Sequence, residues 1–282
     1  MRRRIPVAAV VLAITAVLLV PADALAQGPP PLPDSIAAIG DSISQAFDAC
    51  CWYGNHPGSA WSTGGLPFDE VISHYERIRA LHGAIRGHAS NLAVAGATMA
   101  DAPGQAAAAV AQRAGYVTIE LGANDLCTRP RRSTTWSDSP ATMTPVASFR
   151  AQFQAAMTVL ERGLPPGAHI FVASIPNLLE LWSVLHGNAL ARLVWGLAGI
   201  CGSLLAGDRS DAGRQAVAER ETQLNRVLGE VCGRYPNCRF DQLAVYSYPF
   251  GRALVSKLDF FHPNLDGQAK LADITWAKSW WA

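Results

Sequence analysis

The chain has 282 residues, with 23 Lys and Arg against 22 Asp and Glu for a formal net charge of +1, and half of it is hydrophobic. That balance leaves no electrostatic footprint for nucleic acid, and no basic stripe stands out. The length suits one large α/β domain with a sizeable core.

Arg2, Arg3 and Arg4 precede an apolar run from Ile5 to Val20, which Pro21 breaks, and Ala24-Leu25-Ala26 follows. This is the pattern of a secretory signal peptide over residues 1–26, with cleavage before Gln27. The alternative is an uncleaved membrane anchor, because a run of this length nearly spans a bilayer. Cleavage removes three arginines and one aspartate, which moves the formal net charge from +1 to −1 and leaves no stable membrane span. The expected location is therefore extracellular. Residues 27–34 (Gln-Gly-Pro-Pro-Pro-Leu-Pro-Asp) read as a short extended linker, and residues 35–282 as a single domain.

Short apolar runs then alternate with longer helical stretches. Strands are expected at Ser35 to Ile39, Ala89 to Val94, Tyr116 to Leu121, His169 to Ala173 and Cys238 to Phe240. Helices are expected at Asp69 to Leu81, Met99 to Arg113, Phe149 to Arg162, Gln215 to Arg234 and Leu265 to Trp280. Strands separated by helix-length crossovers imply a parallel sheet with helices on both faces. Leu178 to Ile200 departs from the pattern, being apolar on nearly all sides. It reads either as a buried helix pair or as an apolar wall or lid over an acyl-chain pocket.

Six cysteines in an exported chain favour disulfides over metal ligands, and there is no Cys-x-x-Cys pair. The Tyr235-Pro236-Asn237 turn favours Cys232 with Cys238. Cys127 with Cys201 would leave the adjacent Cys50 and Cys51 to pair, a sterically awkward bridge, and the sequence alone does not choose.

Three blocks carry chemistry. Ile39-Gly40-Asp41-Ser42 ends the first strand, where ligands bind in open α/β sheets, and the residues after Ser42 can open a helix. Alone, Gly-Asp-Ser also makes an ordinary capped turn. Gly122-Ala123-Asn124-Asp125 ends the third strand, where an Asn amide can donate to a developing oxyanion or simply hold its own turn. Asp259-Phe260-Phe261-His262-Pro263 near the C-terminus offers a base with an acid three residues upstream, although a single Asp-x-x-His is also a common structural pair. Between the first two blocks, Gly96 offers an unobstructed backbone N–H or is a plain loop glycine.

Taken together and in this order, the blocks resemble the GDSL family, also called SGNH hydrolases. Trp61-Ser62-Thr63-Gly64 and Gly122 to Cys127 resemble its phospholipase B-like branch of secreted lipases and esterases. The resemblance implies a three-layer α/β/α sandwich with a flavodoxin-like parallel sheet. It implies Ser42 as nucleophile, His262 as general base and acid, and Asp259 as third triad member. It further implies an oxyanion hole of the Ser42 and Gly96 backbone N–H groups and the Asn124 side chain. Ile43 stands where the family's name has leucine, and some relatives orient the His with a backbone carbonyl instead of an Asp.

The expected activity is hydrolysis of carboxylic esters through an acyl-enzyme, on a small-molecule or lipid ester, with no cofactor or metal and at most transient contact with a lipid interface. A carbohydrate O-deacetylase would share every catalytic residue, and a non-catalytic lipid- or glycan-binding protein is the remaining alternative. His56, His74, His82, His88, His169 and His186 read as surface or core residues. Asp41 and Asp125 read as loop-holding groups, and Trp52, Tyr53, Trp61 and Trp136 as loop aromatics that either line the cleft or pin their loops to the core.

Overall fold

Five short strands, each followed on its carboxyl side by a turn rich in small and polar residues, form one all-parallel sheet. In the computed structural model, which describes residues 28–127 and 143–282, the strands are β1 (Ile36–Gly40), β2 (Ala89–Asn91), β3 (Tyr116–Glu120), β4 (His169–Val172) and β5 (Cys238–Phe240). They lie in the order β2-β1-β3-β4-β5, the doubly wound flavodoxin-like arrangement. The expected signal segment, Gln27 and Trp136 lie outside the described residues. Residues 31–282 form one compact unit.

The helices among the described residues are α1 (His74–Leu81), α2 (Ala102–Ala111), α3 (Ala123–Leu126), α4 (Val146–Gly163), α5 (Leu178–Leu185), α6 (Ala189–Ala198), α7 (Gly202–Leu205), α8 (Asp211–Cys232) and α9 (Leu265–Trp276). The central strands β1, β3 and β4 are buried on both faces and read as largely apolar runs, while the edge strands β2 and β5 are only half-buried. Side-chain alternation divides them. Ala37, Ile39, Val117, Ile119, Ile170 and Val172 pack against α2, α4 and α8. Ile36, Tyr116, Phe171 and Ala173 pack against α1 and α9.

Several expected boundaries are corrected. α1 begins at His74 rather than Asp69, because Ser73 caps it by accepting the Glu76 N–H at 3.1 Å, while Phe68 and Glu70 hold positive φ. Met99–Asp101 is a separate 3-10 turn ahead of α2. α8 starts four residues earlier than expected, at Asp211, capped by Ser210. α9 ends at Trp276, and β2 stops at Asn91. The stretch after Ser42 is a chain of turns, not a helix, since Ala46 (φ 48°) and Asp48 (φ 54°) leave the helical region.

Leu178 to Ile200 is a helix pair, α5 and α6, buried on one side and exposed on another. Leu181, Leu185, Ala191 and Trp195 are buried, while Leu190, Leu193 and Leu197 are exposed. All three disulfides formed are the ones weighed from the sequence: Cys50–Cys51, Cys127–Cys201 and Cys232–Cys238. The adjacent pair is accommodated where Cys51 takes a positive φ of 56°.

Candidate active site

The sheet order reverses between β1 and β3, and the crevice outside their carboxyl ends is where a doubly wound sheet binds ligands. Gly40 closes β1. A Cβ there would lie 2.6 Å from the Glu120 carbonyl and 2.3 Å from the Ser44 hydroxyl, so only glycine fits. Gln105 of α2 grips both backbone groups of Gly40, accepting its N–H at 2.8 Å and donating to its carbonyl at 3.0 Å. Asp41 accepts the Ile43 N–H at 2.9 Å, and Gln268 of α9 donates to the Ile43 carbonyl at 3.0 Å. Ser42 is thus held from both layers of helices.

His262 arrives from the other end of the chain. An isolated antiparallel bridge between Val255 and Pro263 folds residues 255–263 into a loop, and the Ser256 N–H donates to the His262 carbonyl at 2.8 Å. Asp259 sits inside that loop, where its Oδ1 accepts the backbone N–H groups of Phe261 at 2.9 Å and His262 at 3.1 Å. Its Oδ2 pairs with Nδ1 of His262. Burial pushes the Asp259 carboxyl up, but the hydrogen bond and charge of His262, with those two N–H groups, outweigh it and hold the carboxyl below its ordinary range. An ionised Asp259 fixes the hydrogen on Nδ1 and leaves Nε2 as acceptor, and Ser42 Oγ lies 2.8 Å from it. Phe47 and Phe261 flank the ring, with centroids 5.0 and 4.9 Å away.

Asn124 stands at the start of α3, across the crevice from Ser42. Gly122 lets β3 turn into that short helix at φ 137°, where a Cβ would lie 2.5 Å from Ile175. The Asn124 side-chain amide donates to the Ala97 carbonyl at 3.0 Å and more weakly to Asp41 Oδ2 at 3.3 Å. Ser42, Gly96 and Asn124 line one cleft of about 300 Å³ together with Asp259 and His262. The backbone N–H groups of Ser42 and Gly96 have no acceptor among the described residues. The other walls are Tyr53, Val194, Ala198, Ile200 and Leu258, with the Cys127–Cys201 bridge.

All five residues singled out from the sequence therefore meet in one cleft. Val194, Ala198 and Ile200 come from the apolar stretch read as a wall. Tyr53 lines the cleft, whereas Trp61 is fully buried in the core. Asp41 and Asp125 hold loops as expected, Asp125 by accepting the Met99 N–H at 2.9 Å. His74 is a core residue between the Tyr116 hydroxyl and Thr275, and burial, with the Arg77 charge, lowers it to about 3.

One buried acid carries no motif and escaped the sequence. Asp48 accepts the Gly54 N–H at 2.7 Å and faces Asp259. Burial chiefly, with the Asp259 charge, raises it to about 6 against the opposing pull of that N–H and of His262. Asp48, Asp259 and His262 lie near enough to one another to hold an ion, but both imidazole nitrogens are already engaged by Asp259 and Ser42.

A family model described as the GDSL-like lipase/acylhydrolase family matches residues 38–270. The chain belongs to that family. The match runs from within β1 into α9 and so takes in every residue of the cleft. Among solved structures, the fold is similar to an alpha/beta hydrolase enzyme from the metagenome of Lake Arreo, Spain (17% identity, TM-score 0.53, covering 86% of this chain and 94% of that one). It is also similar to an acetylxylan esterase from Geobacillus stearothermophilus, solved as a catalytic mutant (17%, TM-score 0.52, 87% and 95%). A third is an extracellular lipase from Streptomyces rimosus (16%, TM-score 0.50, 87% and 99%). At these identities the likeness is one of fold. No curated protein sequence matches.

Proposed function

We propose that the protein is a secreted serine esterase or lipase that hydrolyses carboxylic esters through an acyl-enzyme on Ser42. The observation that carries the reading is the unbroken chain Asp259–His262–Ser42 opening into the cleft. Ser42 Oγ attacks the ester carbonyl carbon as its proton passes to His262 Nε2, and Asp259 steadies the imidazolium. The Ser42 and Gly96 N–H groups and Asn124 receive the oxyanion. For Asn124 this means exchanging its 3.3 Å bond to Asp41 for a stronger one to a charged oxygen. The alcohol leaves with the Nε2 proton. Water then gives a proton to Nε2 and attacks the acyl carbon, and Ser42 regains its hydrogen as the acid departs.

Residues 1–26 act as the export signal in this reading, residues 27–34 as a linker and residues 35–282 as the catalytic domain. Three disulfides suit an oxidising exterior. The Trp61-Ser62-Thr63-Gly64 and Gly122 to Cys127 blocks favour the phospholipase B-like branch and a glycerolipid or phospholipid ester. The apolar wall of Val194, Ala198, Ile200 and Leu258 favours an acyl chain over the acetyl group of a carbohydrate O-deacetylase. Complete nucleophile, base and oxyanion donors weigh against a purely binding role.

A chain-length series of p-nitrophenyl esters, set beside an acetylated glycan, tests the proposal. Turnover rising from acetate to longer acyl chains supports it. Activity confined to acetyl groups returns the deacetylase. Failure of a fluorophosphonate probe to label Ser42 removes the enzyme altogether.

A further inference from the structure

We propose that the outer face of α6, with the neighbouring segment 252–257, docks the protein onto an anionic lipid bilayer, a partner that rests on the lipase reading above. Leu190, Leu193 and Leu197 are 55%, 56% and 81% exposed. Their spacing puts them on one side of the helix, while Ala191 and Trp195 bury the opposite side. The third side, Val194 and Ala198, is the wall of the catalytic cleft. The exposed apolar stripe is therefore continuous with the place where an ester would enter.

The charges carried by α6 and by residues 249–258 have one sign. Arg192 is the lone charged residue of α6. At the N-terminal end of the helix a second hollow of about 350 Å³ has an apolar floor of Leu185, Val255 and Phe260, and Arg252 and Lys257 stand over it. Residues 186–199 and 249–258 contain no Asp or Glu. Leucines that enter the acyl boundary while flanking cations meet anionic headgroups are the signature of a helix lying in an interface. A second copy of the chain fits poorly, since two-fold pairing through this face would set cation against cation. No helix among the described residues is long and apolar enough to cross a membrane, so the contact is peripheral.

The test uses protein carrying Ser42→Ala, co-sedimented with vesicles of phosphatidylcholine alone or mixed with phosphatidylglycerol. Partition into the mixed vesicles, weakened by salt, is expected. The double variants Leu193→Ser/Leu197→Ser and Arg252→Gln/Lys257→Gln should each weaken it about tenfold or more. In the active background both should keep wild-type melting and turnover of a soluble short-chain ester. No partition, equal partition into neutral vesicles, or partition indifferent to both variants overturns the proposal. So does a dimer that dissociates in the leucine variant. Failure of soluble-ester turnover in the wild type would instead sink the hydrolase reading and leave the vesicle result standing.

Discussion

The indole Nε1 of Trp195 donates to the carbonyl oxygen of Phe260 at 3.1 Å, joining the wall helix α6 to the loop that carries Asp259 and His262. Trp195 is 1% exposed, so the bond forms away from competing water. Trp195→Phe should remove the donor, orphan that carbonyl and cost about 1–3 kcal/mol of stability. Turnover should fall more than KM rises, because the loop that sets the base is loosened. Denaturant melts and steady-state kinetics on one ester check both.

Asn124→Ala should lower kcat by roughly a hundred- to a thousandfold with little change in KM, since its extra bond is made to the charged oxyanion. Asp259→Asn should lower kcat by up to about ten-thousandfold, because a neutral amide no longer holds the hydrogen on Nδ1. Circular dichroism of both variants should match the parent. An Asn124→Ala enzyme with parental kcat would remove that side chain from the oxyanion hole.

Six buried acids set an unusual pH dependence of stability, since burial also raises Glu120, Glu221 and Asp241. Asp41 and Asp48 are each raised from 3.8 to about 6, chiefly by burial, and so is Asp125. A native carboxyl that binds its proton more tightly than the unfolded one stabilises the fold at low pH. That contribution is lost as pH rises from 3.8 to about 6. Asp259 works the other way, stabilising above 3.8 and losing its effect as pH falls through its lowered native value. Denaturation midpoints should therefore fall from about pH 4 towards neutrality, with most of the Asp41, Asp48 and Asp125 share lost by about pH 6. Asp48→Asn should flatten part of that fall and raise the midpoint near neutral pH. A midpoint that climbs steadily to neutrality in the parent would contradict the assignment.

Gly122→Ala should be among the more damaging small substitutions, by about 2 kcal/mol or more. It puts a side chain at φ 137° and presses a methyl group onto Ile175. Asn124 follows two residues later, so activity should fall further than stability alone accounts for. Thermal melts and kcat on the same preparation separate the two effects.

The blocks that were legible in the sequence are those whose chemistry is local. Gly40 to Ser42, Gly122 to Asn124 and Asp259 to His262 each carry their geometry within a few residues, and β1, β3 and β4 announce themselves as buried runs rich in apolar residues. Boundaries were less legible where a cap decides. The Ser73-x-x-Glu76 signal for the start of α1 is present in the chain, four residues after the expected start at Asp69. Asp48 left no trace, since its burial against Asp259 depends on two segments more than two hundred residues apart. The two faces of α6 were equally hidden, because an apolar stretch does not say which leucines the fold will leave uncovered.

The Cys127–Cys201 bridge joins the end of the Asn124 helix to the segment just beyond α6, across 74 residues of chain. Closing a loop of that length contributes about 4 kcal/mol in the chain-entropy picture. Recombinant material made where thiols stay reduced would lack that clamp at the rim of its own cleft, however well its sheet assembled. The compartment chosen for expression thus decides whether an assay samples the finished catalyst or a loosely hinged precursor.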